Sequence, residues 1–306
     1  MSGAGTQVFE LDSAASRALR SALDAAGFAF RPLQHALFQA RGEGVVVSCY
    51  RSGKLVVQGK GADAFRGRYL SGRRVQPGRV ETGAPMPTAE NSLGSDEAGK
   101  GDTFGGLVVC AVAVPEGTAE QLQATGVTDS KALADSKIKV LAPWIREHYP
   151  YEERALEPLA YDDARNAAGA NVNKLLTRLH AECLVALHAR AGGTVAVVDR
   201  FSPSAPVSAS LRGTLPGLKV HEVPRAERHL AVAAASVLAR ERFLRQMAEL
   251  SDRWAVDLPL GSGSPVAKAF DRLWAVHGDA LLRDDGLRAV AKIHFKNVQD
   301  ELKRRR

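Results

Sequence analysis

GSDEAGKGDTFGGLVVCAVAV, residues 94–114, sets two adjacent carboxylates, Asp96 and Glu97, in a glycine-rich turn ahead of an apolar run. Neighbouring acids repel, and placing them against hydrophobic sequence costs stability unless a cation shares the site. Hard divalent cations such as Mg²⁺ take carboxylate oxygens and complete their shell with water and substrate phosphates. The stretch therefore reads as a metal site facing a phosphate, at the start of a strand-rich core. The same letters match seven positions of a phosphate-binding loop, with Gly94, Gly99 and Lys100 in place. The eighth position of such a loop needs a Ser or Thr hydroxyl for Mg²⁺, and Gly101 stands there. Asp96 and Glu97 inside the loop would also repel the phosphates that its amides are meant to hold. Nucleotide triphosphate binding is disfavoured on both counts.

Around this stretch the chain alternates strand-like and helix-like segments. TVAVVD (194–199) and LKVHEV (218–223) read as short strands, the first of them ending in Asp199. Helices are predicted over TDSKALADSKIKVLAPWIREHY (128–149), over a segment with Leu175, Leu179, Cys183 and Leu187 on one face, and over 225–250. Small residues in the last of these, Ala231, Ala234 and Ala235, would let it approach the sheet closely. Such alternation implies an α/β layered domain. Upstream, Asp12 or Ser13 caps a helix within 9–27, and VVVSCY (45–50) and KLVVQG (54–59) form a hairpin through Arg51-Ser52-Gly53. The Pro- and Gly-rich segment between Ser71 and Asn91 reads as a linker. The expected division is an N-terminal domain at 1–72, a linker at 73–91 and a larger domain at 92–306.

The 306 residues are 45% hydrophobic, enough for a substantial core, and the formal charge is +7. Residues 1–90 hold 12 Lys and Arg against 7 Asp and Glu, which places 5 of those 7 charges there. A basic surface suits a polyanionic partner, although solvated surface charge accounts for it equally. Three separated cysteines without CxxC spacing read as buried small hydrophobes in a reducing compartment. No apolar run reaches membrane-spanning length and no signal-peptide core is present, so a cytoplasmic protein, monomeric by default, is expected.

Asp199 at a strand end could cap the next segment, and Glu227 in a first helical turn could complement the helix dipole. Together with Asp96 and Glu97, however, they make four carboxylates from three segments that can meet at one sheet edge, where ligand sites of α/β folds form. Such a convergence makes sense with metal ions. GSDEAGKGDTFGG, the Asp-Ser-Lys at 129–131, AVVD at 196–199 and AERHLAVAAASVLAR at 226–240 resemble the type 2 ribonuclease H family, over nearly the whole chain. Within that family the chain is most similar to ribonuclease HIII, on three features. These are YRSGKLVVQG (50–59) in an N-terminal extension, Glu227 in Arg-Ala-Glu where ribonuclease HII usually has Asp, and LPLGSGSPV and VAKIHFKN near the C-terminus.

The resemblance implies a ribonuclease H-like α/β domain, a mixed central sheet flanked by helices, preceded by a small α+β TATA-binding-protein-like domain. It implies endonucleolytic hydrolysis of the RNA strand of RNA–DNA hybrids, with Asp96, Glu97, Asp199 and Glu227 as metal ligands. Two Mg²⁺ ions, or Mn²⁺ in their place, would clamp the scissile phosphate and leave 5′-phosphate and 3′-hydroxyl products. Gly99, Lys100 and Gly101 resemble the family's substrate loop, whose backbone reaches a ribose 2′-OH. Lys100 stands where ribonuclease HII typically has Arg, and the two are not equivalent at forked contacts, so runs of ribonucleotides are favoured over a lone one.

Further substrate contacts are assigned to Ser130 and Lys131, to Asn171 and Asn173, and in the N-terminal domain to Tyr50, Arg51 and Lys54. Helix capping or surface packing is the alternative for each. Lys292 and Lys296 are further phosphate candidates, Asp102 is read as shaping its loop, and His180 and His188 are placed on a helix surface. A non-catalytic hybrid-binding protein would explain the basic N-terminus but leave the four acids without a purpose.

Overall fold

The computed structural model describes residues 6–33, 36–71, 76–77, 86–128, 130, 133–202, 204–283 and 285–305. The chain forms two units, Met1–Pro85 and Met86–Arg306.

The first unit comprises β1 (Thr6–Glu10), α1 (Ser13–Ala25), β2 (Ala29–Arg31), β3 (Ala36–Gly42), β4 (Val45–Tyr50), β5 (Lys54–Gly59), the short α2 (Ala62–Phe65) and β6 (Gln76–Pro77). Its antiparallel sheet runs β2-β3-β4-β5-β1-β6. Asp12 caps α1 by accepting from the Ala15 amide at 2.7 Å. Leu19 and Leu23 of that helix pack on Phe38, Val47, Cys49, Leu55 and Val57, all buried. Side chains alternate across a strand, so Gln39, Arg41, Tyr50, Lys54 and Val56 lie on the opposite face.

The second unit continues with β7 (Ser92–Ala98), β8 (Leu107–Val114), α3 (Ala119–Ala124), α4 (Asp135–His148), β9 (Tyr151–Leu156), α5 (Pro158–Ala167), α6 (Val172–Ala191), β10 (Val195–Asp199), α7 (Pro206–Leu211) and β11 (Lys219–Val223). It ends with α8 (Leu230–Trp254), α9 (Pro265–His277) and α10 (Lys296–Arg305). The mixed sheet runs β11-β10-β7-β8-β9, with β10 parallel to both β7 and β11 and the β7-β8-β9 ladder antiparallel. Leu175, Leu179, Cys183 and Leu187 of α6 pack on one face through Leu93, Val109, Ala196 and Val198. On the other face α8 lies over Val108, Cys110 and Val112, backed by α4 and α9. The ribonuclease H-like mixed sheet and the small α+β unit are thus as anticipated.

Three local expectations are corrected, the first being the helix predicted over 128–149, which begins only at Asp135. Asp96 and Glu97 stand on a strand and not in a turn, because β7 stays paired with β8 through Ala98 and with β10 up to Ser95, and its serines satisfy themselves. Ser92 Oγ donates to Ala89 O at 2.5 Å and Ser95 Oγ to Cys110 O at 2.9 Å. The long helix begins at Leu230 and not at 225, since Arg225 adopts a left-handed φ of 56° and Ala226–Arg228 closes a separate 3₁₀ turn. Strand β9, whose YEERAL sequence lacks a continuous apolar run, has no counterpart in the sequence reading.

The small-residue face of α8 reaches the sheet at backbone distance. A Cβ on Gly94 would lie 2.2 Å from Ala231 C and Val232 N. Gly94→Ala should therefore force the helix off the strand and cost about 3 kcal/mol, the upper range for overpacking. Urea unfolding of the variant measures it.

Candidate active site

β7 and β10 run parallel and end at the same edge. The register pairs Val198 with Ser95, so one step on brings Asp199 beside Asp96. Asp199 Oδ1 accepts from the Ala226 amide at 3.1 Å, which ties the 3₁₀ turn carrying half-buried Glu227 to the strand end. Segments 96–97, 199 and 226–228 therefore meet at the carboxyl ends of the central strands, the usual place for a ligand site in such sheets.

Adjacent residues of a strand face opposite sides, and the two acids of β7 do so. Asp96 is 8% exposed and turns toward α8; its Oδ1 accepts from the Glu97 amide at 2.8 Å and the Ser236 hydroxyl also favours its charged form. Burial, then Glu97 and Asp199, push its carboxyl up to about 8 against those hydrogen bonds. Glu97 turns toward α6. Burial pushes its carboxyl up, but the His180 ring and the Lys100 ammonium outweigh burial and hold it below the usual carboxylate range. Lys100 Nζ is 3.5 Å from Glu97 Oε1, and His180 Nε2 is 3.3 Å from Glu97 Oε2 without the alignment of a hydrogen bond.

Among the described residues no three or more His, Cys, Asp or Glu side chains form a ready-made metal cage. The donor set nevertheless suits a hard cation. Glu97 Oε2 is buried without a hydrogen-bond partner, and Asp96 carries an uncompensated like-charge load. Asp96 and Asp199 each commit one oxygen to an amide, and a magnesium-type ion asks only for one or two carboxylates besides water and phosphate.

Gly99 has φ +92°, and a Cβ there would lie 2.5 Å from Phe243 Cε2 and 2.8 Å from Gly106 O, so only glycine fits. A Cβ on Gly101 would meet nothing within 4 Å, which leaves that part of the loop open. Lys100 Nζ lies over the Phe201 ring at 5.5 Å. Asp102 shapes the loop as expected, accepting from the Gly261 amide at 2.5 Å.

Other expected residues fall elsewhere. Ser130 is buried, its Oγ 2.6 Å from Ser236 Oγ, so it faces the helix that contacts Asp96. Lys131 lies outside the described residues. Asn171 caps α6, accepting from the Asn173 and Lys174 amides at 2.9 and 3.2 Å, while Asn173 opens the helix half-buried. Tyr50, half-buried, and Lys54, exposed, lie on the sheet face opposite α1 in the first unit, together with Gln39 and Arg41.

Lys292 is not a phosphate contact. It is fully buried, and its Nζ donates to Asp102 O and Gly105 O at 2.7 and 2.8 Å among the rings of Tyr161, Phe243 and Phe295. His180 is fully buried and not on a helix surface, its Nδ1 2.7 Å from Ser95 Oγ and its ring stacked on Phe201. Leu176, Cys183 and Leu184 flank it at helical spacing, the signal that places it on the buried stripe.

Burial lowers Lys292 from 10.5 to about 7. Between those values the unfolded chain binds the additional proton, so stability should climb as pH rises from 7 towards 10. Urea unfolding at pH 7 and 9 should show a gain of order 2 kcal/mol that disappears in Lys292→Met.

A family model described as Ribonuclease HII matches residues 93–298, and one described as a domain of unknown function, DUF3378, matches 6–80. A ribonuclease HIII of Chlamydia abortus is 37% identical over 288 residues, 92% of each chain. One of Geobacillus kaustophilus is 35% identical over 290 residues, 87% of this chain and 88% of its own. A crystal structure of Bst-RNase HIII in complex with Mn²⁺ is similar with a TM-score of 0.64 at 32% identity, over 99% of both chains.

Proposed function

We propose that this chain, which belongs to the ribonuclease HIII family and is a ribonuclease H acting on RNA–DNA hybrids, cuts the RNA strand at Asp96, Glu97, Asp199 and Glu227. The observation that carries this reading is the meeting of Asp96 and Asp199 at the ends of parallel strands, with Glu97 Oε2 buried beside them without a hydrogen bond. Two divalent cations, Mg²⁺ or Mn²⁺, would supply an activated water and stabilise the leaving 3′ oxygen. The four carboxylates would hold those ions, with amides fixing one oxygen each of Asp96 and Asp199. Products carry a 5′-phosphate and a 3′-hydroxyl.

The Gly99-Lys100-Gly101 loop addresses the ribose side of the substrate. Its open backbone at Gly101 admits the sugar, where peptide groups can bond a 2′-OH that DNA lacks. Lys100 offers a point charge to phosphate and not a two-pronged fork. The first unit adds affinity through Tyr50, Lys54 and the basic surface around them, a contribution that reads charge and shape rather than sequence. Among the described residues no helix is long and apolar enough to cross a membrane.

The test is cleavage of an end-labelled RNA strand annealed to DNA, with Mg²⁺ or Mn²⁺. Asp96→Asn should lower turnover by roughly three orders of magnitude or more, since one oxygen of the central ligand pair is lost. A wild-type protein that binds hybrid but leaves it intact in both metals would overturn the reading. A duplex with one ribonucleotide should be cut less readily than one with four in a row. Removal of residues 1–85 should raise KM for the hybrid far more than it lowers kcat, and unchanged KM would exclude the first unit as a substrate-binding module.

A further inference from the structure

Helix α6 buries Leu175, Leu176, Leu179, Cys183, Leu184 and Leu187, and among them stands one imidazole, His180. A fully buried ring is costly unless both nitrogens find partners. Both nitrogens face β7, one within hydrogen-bond distance and the other at ion-pair distance without hydrogen-bond alignment. Nδ1 meets Ser95 Oγ at 2.7 Å and Nε2 faces Glu97 Oε2 at 3.3 Å. Ser95 and Glu97 are two residues apart on one strand and so share a face, which the ring spans. The ring is pinned from the side by Phe201, at 5.5 Å and 15° between planes. Phe201 also carries Lys100 Nζ over its ring, and that same ammonium faces the other Glu97 oxygen at 3.5 Å.

The proton inventory of this chain of contacts is limited. Ser95 donates its one hydroxyl hydrogen to Cys110 O at 2.9 Å and so meets His180 Nδ1 as an acceptor at 2.7 Å. Held through Nδ1, the ring turns its other nitrogen, Nε2, toward Glu97 Oε2. A leucine would fill the space but would leave Glu97 held only by a partly exposed lysine on a loop.

We propose that His180 is a positioning residue: it fixes the orientation of the Glu97 carboxylate for the cation and so sets metal affinity. Outer partners of ligating carboxylates have this effect generally, and their loss weakens metal binding about 10–100-fold. The proposal rests on Glu97 being a metal ligand, and it extends that reading to a residue that touches neither metal nor substrate.

Calorimetric titration of the full-length protein with Mn²⁺ alone tests it. His180→Ala and His180→Asn should weaken binding about 10–100-fold. His180→Gln should recover most of the loss, because a glutamine amide reaches the Nε2 position and an asparagine amide only the Nδ1 position. In a Glu97→Gln background, His180→Ala should weaken Mn²⁺ binding no further. In the cleavage assay, His180→Ala should need more Mn²⁺, regain kcat at saturation and keep its KM for the hybrid. Ser95→Ala, which keeps the ring, should shift Mn²⁺ affinity in the same direction.

Unchanged Mn²⁺ affinity in His180→Ala, equal behaviour of the Asn and Gln variants, or the same loss in the Glu97→Gln background would each overturn the proposal. Asp96→Asn separates the two levels. If it too leaves Mn²⁺ binding intact, the metal-site reading itself fails; if it abolishes binding while His180→Ala does not, only the role of His180 fails.

Discussion

Strand β7 and helix α8 touch backbone to backbone at Gly94, and the geometry of the acidic edge follows from that contact. From Ala231 to Ser236 the helix advances roughly 7.5 Å, and from Gly94 to Asp96 the strand advances roughly 6.6 Å. A helix set down at Gly94 thus brings its serine level with Asp96. The match continues just past the strand, since a Cβ on Gly99 would meet the Phe243 ring, twelve residues beyond Ala231 on the same helix. Any side chain at Gly94 lifts α8, and with it Ser236, Phe243 and the loop they support.

The two faces of β7 then divide the labour. Asp96 is addressed from α8 through Ser236, which is itself bonded to Ser130, and Glu97 is addressed from α6 through His180. Alternation along a strand lets consecutive acids sit close in sequence while drawing on separate sets of partners. Their environments differ accordingly: one carboxyl is pushed up by burial and like charge, and its neighbour is held low by a ring and an ammonium. Such a pair is poorly stabilised by protein alone and well matched to a cation.

The layered α/β architecture was legible because its signals are local. Apolar runs at 107–114 and 195–199, alanines at helical spacing in α8 and leucines on α6 each specify an element and its buried face. The acids were legible for a different reason, since adjacent Asp and Glu before an apolar run contradict ordinary burial. What stayed hidden depends on neighbours distant in sequence. Asp96 and Glu97 read as turn residues because glycines surround them, whereas their strand is made by pairing with β8 and β10. Lys292 read as a surface cation, and its two carbonyl partners lie nearly 190 positions away. His180 lies on the buried stripe by spacing, but its meaning comes from Ser95 and Glu97, a strand that only the fold brings beneath it.

The loop that follows β7 shows why so much C-terminal sequence is needed around a short motif. Beyond Gly101 each turn of the loop is held from outside. Thr103 N donates to Gly261 O, Lys292 N to Thr103 O and Gly105 N to Val290 O, and Asn297 Nδ2 bonds Thr103 Oγ1 at 2.8 Å. The Lys292 ammonium closes the underside against two more carbonyls. Gly101 has no such neighbour around its Cβ position. On the proposed reading, a backbone that recognises a 2′-hydroxyl by its own peptide groups could not rearrange to do so without losing discrimination, and could not carry side chains that keep the sugar away. A fixed base with a bare tip meets both requirements, and a buried lysine that burial itself makes costly is part of how the base is fixed.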